Sequence, residues 1–171
     1  HIREIPDLVD NFGVTSFKIY MFYGGHGLHG RSTNQHEFLM INEDEKYDIA
    51  HFEFVMRGLR KAMERFPDKA ADLSLSLHCE TAEIMSAYTK IVEEEGTLKG
   101  LAAYSAGRPP HSEGLAIFIA SYLANETDLP NINLLHLTSR KAVLAALQMA
   151  AVFPHINFRR EVTIGHLMLD T

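Results

Sequence analysis

An α/β chain with parallel strands is what this sequence predicts, and three observations carry that reading. Strand-like and helix-like runs alternate along the chain, in the order helix, strand, helix, strand, helices, strand, helix, strand. Leu73-Ser74-Leu75-Ser76-Leu77-His78 alternates apolar and polar with period two, which is a strand signal. The helical runs carry apolar stripes at 3.6-residue spacing and stop at glycine or proline. Alternation of this kind places strands side by side and parallel, joined by right-handed crossovers. Two closures satisfy it: an open doubly wound sheet, or part of a (β/α) barrel.

Taken in order, Ile2, Ile5, Leu8, Val9 and Phe12 form a helical stripe, and Gly13 is its stop. The first strand is expected from Val14 to Tyr23, buried on both faces because β-branched and aromatic residues fill nearly every place. A long polar connection follows to Asp48, opening with Gly24-Gly25-His26-Gly27-Leu28-His29-Gly30. Those glycines match a G-x-G-x-x-G spacing, but they open a loop rather than a helix, so the phosphate-binding reading fails. A lid is the natural reading of such a segment. His26, His29 and His36 form a second metal hypothesis there, weakened because flanking glycines provide no rigid scaffold. Glu43-Asp44-Glu45 reads as a solvated turn near a helix start.

From Tyr47 to Phe66, Phe52, Val55, Met56, Leu59, Met63 and Phe66 share one helical stripe, and Pro67 ends it. Strand Leu73–His78 is followed by a helix from Ala82 to Glu95, closed by Gly96. Gly107-Arg108-Pro109-Pro110 leads into an apolar helix from about Ser112 to Asn125. A third strand, Asn131 to Leu137, places Ile132, Leu134 and His136 on one face. Ser139 then caps an alanine-rich helix to about Ala151. The fourth strand is expected from Ile156 to Thr163.

Composition narrows the function. The chain has 171 residues, 46% apolar and 22% charged, as a folded domain with a sizeable core has. A formal charge of −6 with no basic block argues against nucleic acid or an anionic membrane as partner. The single cysteine, Cys79, allows no internal disulfide, which favours a reducing, cytoplasmic setting. No apolar run has the length of a membrane span and no signal peptide is visible. The chain starts at His1 without an initiator Met, so the expectation is a piece of something longer.

Reactive side chains converge on one place. His78 and His136 each fall at the C-terminal end of an expected parallel strand, and Lys18 lies towards the same end of its own. In parallel α/β architectures these ends share one edge, where active sites form. Ser74 and Ser76 leave room on the face that carries His78. Imidazole suits zinc and similar divalent ions. Lys18 sits mid-strand among apolar residues, where an ammonium is costly to desolvate. Either it snorkels or pairs with a carboxylate, or its amine is chemically altered; a neutral amine that takes up carbon dioxide offers two oxygens to bridge two cations.

Five motifs in order resemble one family: Ser16-Phe17-Lys18-Ile19-Tyr20-Met21-Phe22-Tyr23; His78-Cys79-Glu80; Arg108-Pro109-Pro110 with Glu113; Leu135-His136-Leu137-Thr138; and Glu161-Val162-Thr163 through His166-Leu167-Met168-Leu169. They look like the cyclic amidohydrolases of the dihydropyrimidinase and hydantoinase group, relatives of allantoinase and dihydroorotase. The resemblance implies part of a (β/α)8 TIM-type barrel, with this chain as its central portion, strands four to seven, and the flanking parts outside it. It implies two divalent metal ions, zinc, bridged by a carbamate on Lys18, with His78 and His136 as ligands of the second metal. It gives Tyr23 the role of stabilising the developing oxyanion, while a metal-bridging hydroxide attacks a cyclic amide carbonyl. A small cyclic amide or ureide substrate and a homo-oligomer, tetramer or dimer, follow from the same likeness.

Departures are equally definite. The family's His-x-His pair and its late aspartate do not occur in the chain, which leaves half of the ligand set outside it and the isolated segment expected to be inactive. Cys79 and Thr81 stand where Ala and Asn are frequent, and Ile164 where a proline is. The segment from Gly24 to Asp48 is longer than usual. Allantoinase or dihydroorotase chemistry is one alternative; a non-catalytic scaffold that keeps the barrel and has lost the metals is another.

Overall fold

The computed structural model of the chain describes residues 2–21 and 49–168. Its elements run α1 (Glu4–Phe12), β1 (Ser16–Tyr20), α2 (Ile49–Arg65), β2 (Ser74–His78), α3 (Ala82–Glu95), α4 (Gly100–Ala106), α5 (Pro110–Glu126), β3 (Asn131–Leu134), α6 (Arg140–Val152), β4 (Asn157–Arg160) and α7 (Ile164–Met168). The strands form one sheet in the order β1-β2-β3-β4, every neighbour parallel. Each strand thus pairs with the next one in sequence, as consecutive strands of a (β/α) barrel do.

Helix ends follow local chemistry. Gly13 and Gly96 adopt left-handed conformations (φ 66° and 62°) that a Cβ would strain, and their N–H groups close the last turns of α1 and α3. Pro110 occupies the first turn of α5, where its missing N–H leaves no bond unmade. At the start of α6 the Ser139 hydroxyl accepts from the Ala142 N–H at 3.1 Å. Arg65 of α2 reaches Asp7 and Asp10 of α1 at 3.3 and 3.0 Å, tying the two helices across an exposed seam.

The register defines two kinds of row across the sheet. Phe17, Leu75, Ile132 and Phe158 form one; Ile19, Leu77 and Leu134 belong to the next apolar row. These residues share a single core with α2, α5 and α6. Leu75, Leu77, Ile132 and Leu134 are fully buried, which stabilises the fold by about 1.5–3 kcal/mol for each side chain. Alanines 142, 145 and 146 of α6 are buried beside Ala116 and Ala120 of α5, so small side chains line both helices. The intervening row is Lys18, Ser76, Asn133 and Arg159. That face is polar throughout, and Lys18 and Arg159 are exposed on it. A doubly wound sheet carries an apolar layer on both faces; among the described residues, this sheet does not.

Three expectations need correction. β1 was expected to be buried on both faces with Lys18 among apolar neighbours. Instead the strand is half-buried, because only its Phe17 and Ile19 side faces the core, and Lys18 is exposed. The third strand ends at Leu134, not Leu137, because His136 takes φ 37° and breaks the alternation. Its side chain therefore leaves the face of Ile132 and Leu134. β4 is likewise shorter than Ile156–Thr163, although the Glu161 N–H still bonds the Leu134 carbonyl at 2.9 Å. Among the described residues, no helix is long and apolar enough to cross a membrane.

Candidate functional site

Parallel pairing sets Tyr20 directly opposite His78 at the C-terminal ends of β1 and β2. Their ring centroids lie 5.2 Å apart. The left-handed residue after β3 turns the His136 ring onto His78, with centroids 4.3 Å apart and planes at 64°. On the other side, the Lys18 Nζ lies 4.6 Å from the centre of the Tyr20 ring. Lys18, Tyr20, His78 and His136 therefore form a continuous line across three strand ends.

Two carboxylates border this line. Glu80 Oε2 lies 2.8 Å from His78 Nε2. Glu161, just past β4, accepts the His136 N–H at 3.2 Å. Burial, and next the neighbouring His78, hold the His136 imidazole below its ordinary proton affinity; Lys18 adds to this, while a backbone hydrogen bond and Glu161 oppose it. An imidazole so placed is neutral near pH 7, which is the form that binds a metal. Cys79 is fully buried, and burial, with Glu113 and Glu80 nearby, pushes its thiol far up. It is inert, not a nucleophile.

Of the residues singled out from sequence, Lys18, His78 and His136 come together on one edge and one face. Tyr23 lies outside the described residues, as do His26, His29, His36 and the Glu43-Asp44-Glu45 turn. Tyr20 was missed: aromatic residues in a strand read as core, and only the register shows its place beside His78. Two buried polar residues, Ser112 and Glu113, were also not given a role. Their signal was available, since a Ser-Glu pair opens an otherwise apolar helix.

The donors can be tested against a metal ion. Two adjacent imidazoles suit a divalent cation of the zinc type. A carboxylate on one ring nitrogen is the companion that metal-bound histidines ordinarily have, and Glu80 provides it to His78. Among the described residues, no group of three or more His, Cys, Asp or Glu side chains is placed to hold a metal ion. The chain's described contribution is thus two imidazoles with Lys18 on the same face. That set fits part of a metal site.

No family model matches the chain, and no curated protein does. Solved structures do. The D-hydantoinase from a Bacillus sp. AR9 superposes with TM-score 0.68 at 20% identity, over 99% of this chain and 30% of that one. The dihydropyrimidinase from Brevibacillus agri NCHU1002 matches with TM-score 0.68 at 22% identity, over the same shares. The L-hydantoinase (dihydropyrimidinase) from Arthrobacter aurescens matches with TM-score 0.62 at 20% identity, over 92% of this chain and 29% of that one. The chain spans about 30% of the length of the hydantoinases it resembles, and over that span it has the parallel α/β fold of these TIM-barrel chains.

Proposed function

We propose that this chain is the central part of a metal-dependent barrel hydrolase that opens cyclic amide rings of the dihydropyrimidine or hydantoin type. The observation that carries the reading is the packing of His78 against His136 at the C-terminal edge of the sheet, with Lys18 on the same face. Strands that pair only with their sequence neighbours, a polar face opposite the helices, and likeness to hydantoinases over 30% of their length support a segment corresponding to strands four to seven. The remaining strands would complete the polar face into a barrel interior.

In this reading His78, His136 and Lys18, as its carbamate, would hold divalent metal ions. When bound, two divalent cations such as zinc would make a hydroxide available at neutral pH and polarise the ring carbonyl. The residues of the chain do the rest. Glu80 fixes the tautomer and direction of the His78 ring. The low proton affinity of His136 keeps its ring available as a neutral ligand. Lys18 lies on the polar face that the remaining strands would close into the barrel interior, so its carbamate would face the metal site. Tyr23, five residues after Lys18, is assigned the oxyanion role.

The test is made on the full-length protein. Metal analysis should find about two divalent ions per chain, and Lys18→Ala or His78→Asn should lose them together with hydrolysis. Turnover of dihydrouracil and hydantoin, compared with allantoin and dihydroorotate, separates the amidase reading from its relatives. A metal-free protein inactive on all four would overturn hydrolysis in favour of a scaffold role.

A further inference from the structure

Two consecutive residues in the first turn of α5, Ser112 and Glu113, are almost fully buried, at 2% and 6% exposure. Each faces a different strand-end loop. The Ser112 hydroxyl accepts the Thr81 N–H at 2.8 Å and donates to the Thr81 carbonyl at 3.2 Å, while the Thr81 hydroxyl donates to the Ser112 carbonyl at 2.9 Å. Glu113 Oε1 accepts the Thr138 N–H at 3.0 Å; its Oε2 accepts the Thr138 and Ser139 hydroxyls at 2.8 and 3.1 Å. Thr81 follows His78 by three residues and Thr138 follows His136 by two. One helical turn thus grips both loops immediately beyond the two histidines.

A buried carboxylate is expensive to desolvate, and an apolar helix has no need of one for packing. Three donors converging on Glu113 offset that cost only if the loop after β3 keeps its present shape. That shape includes the left-handed backbone at His136, which an L-residue adopts only when its surroundings hold it there. Ser139 extends the link, since the hydroxyl that donates to Glu113 also accepts the Ala142 N–H that starts α6.

We infer that Ser112 and Glu113 act as one bracket that sets the spacing of His78 and His136, Glu113 being the positioning residue for His136. It acts through the loops and touches neither histidine ring. The metal part of the test rests on the hydrolase reading, whereas the bracket itself does not.

Glu113→Ala, Glu113→Gln and Ser112→Ala are compared in the full-length protein with Met149→Ala, a core truncation in α6 that is remote from the loops. The measurements are hydrogen exchange across residues 136–139 and 79–81, and the affinity and visible absorption of added Co2+. Glu113→Ala should speed exchange at 136–139 and weaken Co2+ about 10-fold or more, as loss of supporting contacts does at metal sites, with an altered ligand-field spectrum. Glu113→Gln, which keeps an acceptor for the Thr138 N–H, should fall between Ala and wild type. It also preserves the test if the alanine variant does not fold. Ser112→Ala should speed exchange at 79–81. Met149→Ala should lower the melting temperature without moving the spectrum. Unchanged exchange at 136–139 in both Glu113 variants would overturn the bracket, as would an equal spectral change in Met149→Ala. If the wild-type protein takes up no Co2+, the hydrolase reading falls, and the exchange data alone still decide for or against the bracket.

Discussion

Replacing His136 by glycine and by alanine separates what its backbone does from what its ring does. Both substitutions remove the imidazole and its contact with His78, so they differ in a single Cβ. At φ 37° that carbon is crowded against the chain, which raises the energy of an L-residue by roughly 1–2 kcal/mol. Glycine avoids this but loses more conformational freedom on folding, by roughly 0.5–1 kcal/mol. At mid-range the balance leaves His136→Gly more stable than His136→Ala by about 0.75 kcal/mol. With a urea dependence of about 1–3 kcal/mol per molar, the glycine variant should unfold at a midpoint higher by a few tenths of a molar. Equilibrium urea unfolding of both variants, followed by circular dichroism in the full-length protein, measures this. Under the proposed hydrolase reading, activity should be lost equally in the two. An alanine variant as stable as the glycine variant would refute the left-handed backbone at this position, and with it the account of how the ring reaches His78.

Other expectations follow from the same structure. Ile132→Ala, in the fully buried row between Leu75 and Phe158, should destabilise by about 2–5 kcal/mol, whereas Leu144→Ala, on the exposed side of α6, should change stability by less than about 0.5 kcal/mol; similar urea midpoints for the two would contradict the burial pattern. The His136 proton affinity is lower in the folded chain than in the unfolded one, so the unfolded state binds more protons as pH falls from the ordinary imidazole value through the lowered one. Stability of the chelator-treated protein should therefore decline across that window, and His136→Ala should flatten this part of the profile; an unchanged profile would show that His136 is not the group responsible. Cys79 should resist thiol reagents in the native state and react on addition of denaturant; rapid labelling without denaturant would place it at the surface.

Much of the fold was legible because the sequence punctuates it chemically. Gly13, Gly96 and Ser139 mark helix ends with residues whose backbone or side chain does a specific job there, and α3 begins and ends where its pattern indicates. Two short helices were not legible. Gly100–Ala106 and Ile164–Met168 are too short to establish a period, and Gly100–Ala106 has no side-chain cap to announce it. For the site, strand-end position placed His78 and His136 on one edge correctly. Period-two alternation then assigned His136 to the face of Ile132, and a single positive φ overrode it. Lys18 misled in the opposite way. Its apolar neighbours suggested a lysine sealed in the core, but in a half-buried strand alternate residues face opposite ways, so apolar sequence neighbours say little about a side chain's own surroundings. The Ser112–Glu113 grip depends on contacts some 25 to 31 residues away in sequence, which local patterning does not encode.

The sequential strand order also says something about how the chain comes together in time. Joining β3 to β4 brings together residues 26 apart, as at Asn131 and Asn157, whereas joining β2 to β3 spans 57, as at Ser76 and Asn133. The longer closure is less favourable by roughly 0.7 kcal/mol from loop entropy alone. The βαβ unit of β3, α6 and β4 is therefore the least costly parallel pairing to form and the natural seed onto which β2, then β1, can add. Pulse-labelling hydrogen exchange during refolding would show this as earliest protection at Asn157 and Glu161; earliest protection in β1 would point to a seed at the other rim. On this order the turn that carries His136 is shaped early, and the two histidines meet only when β2 docks.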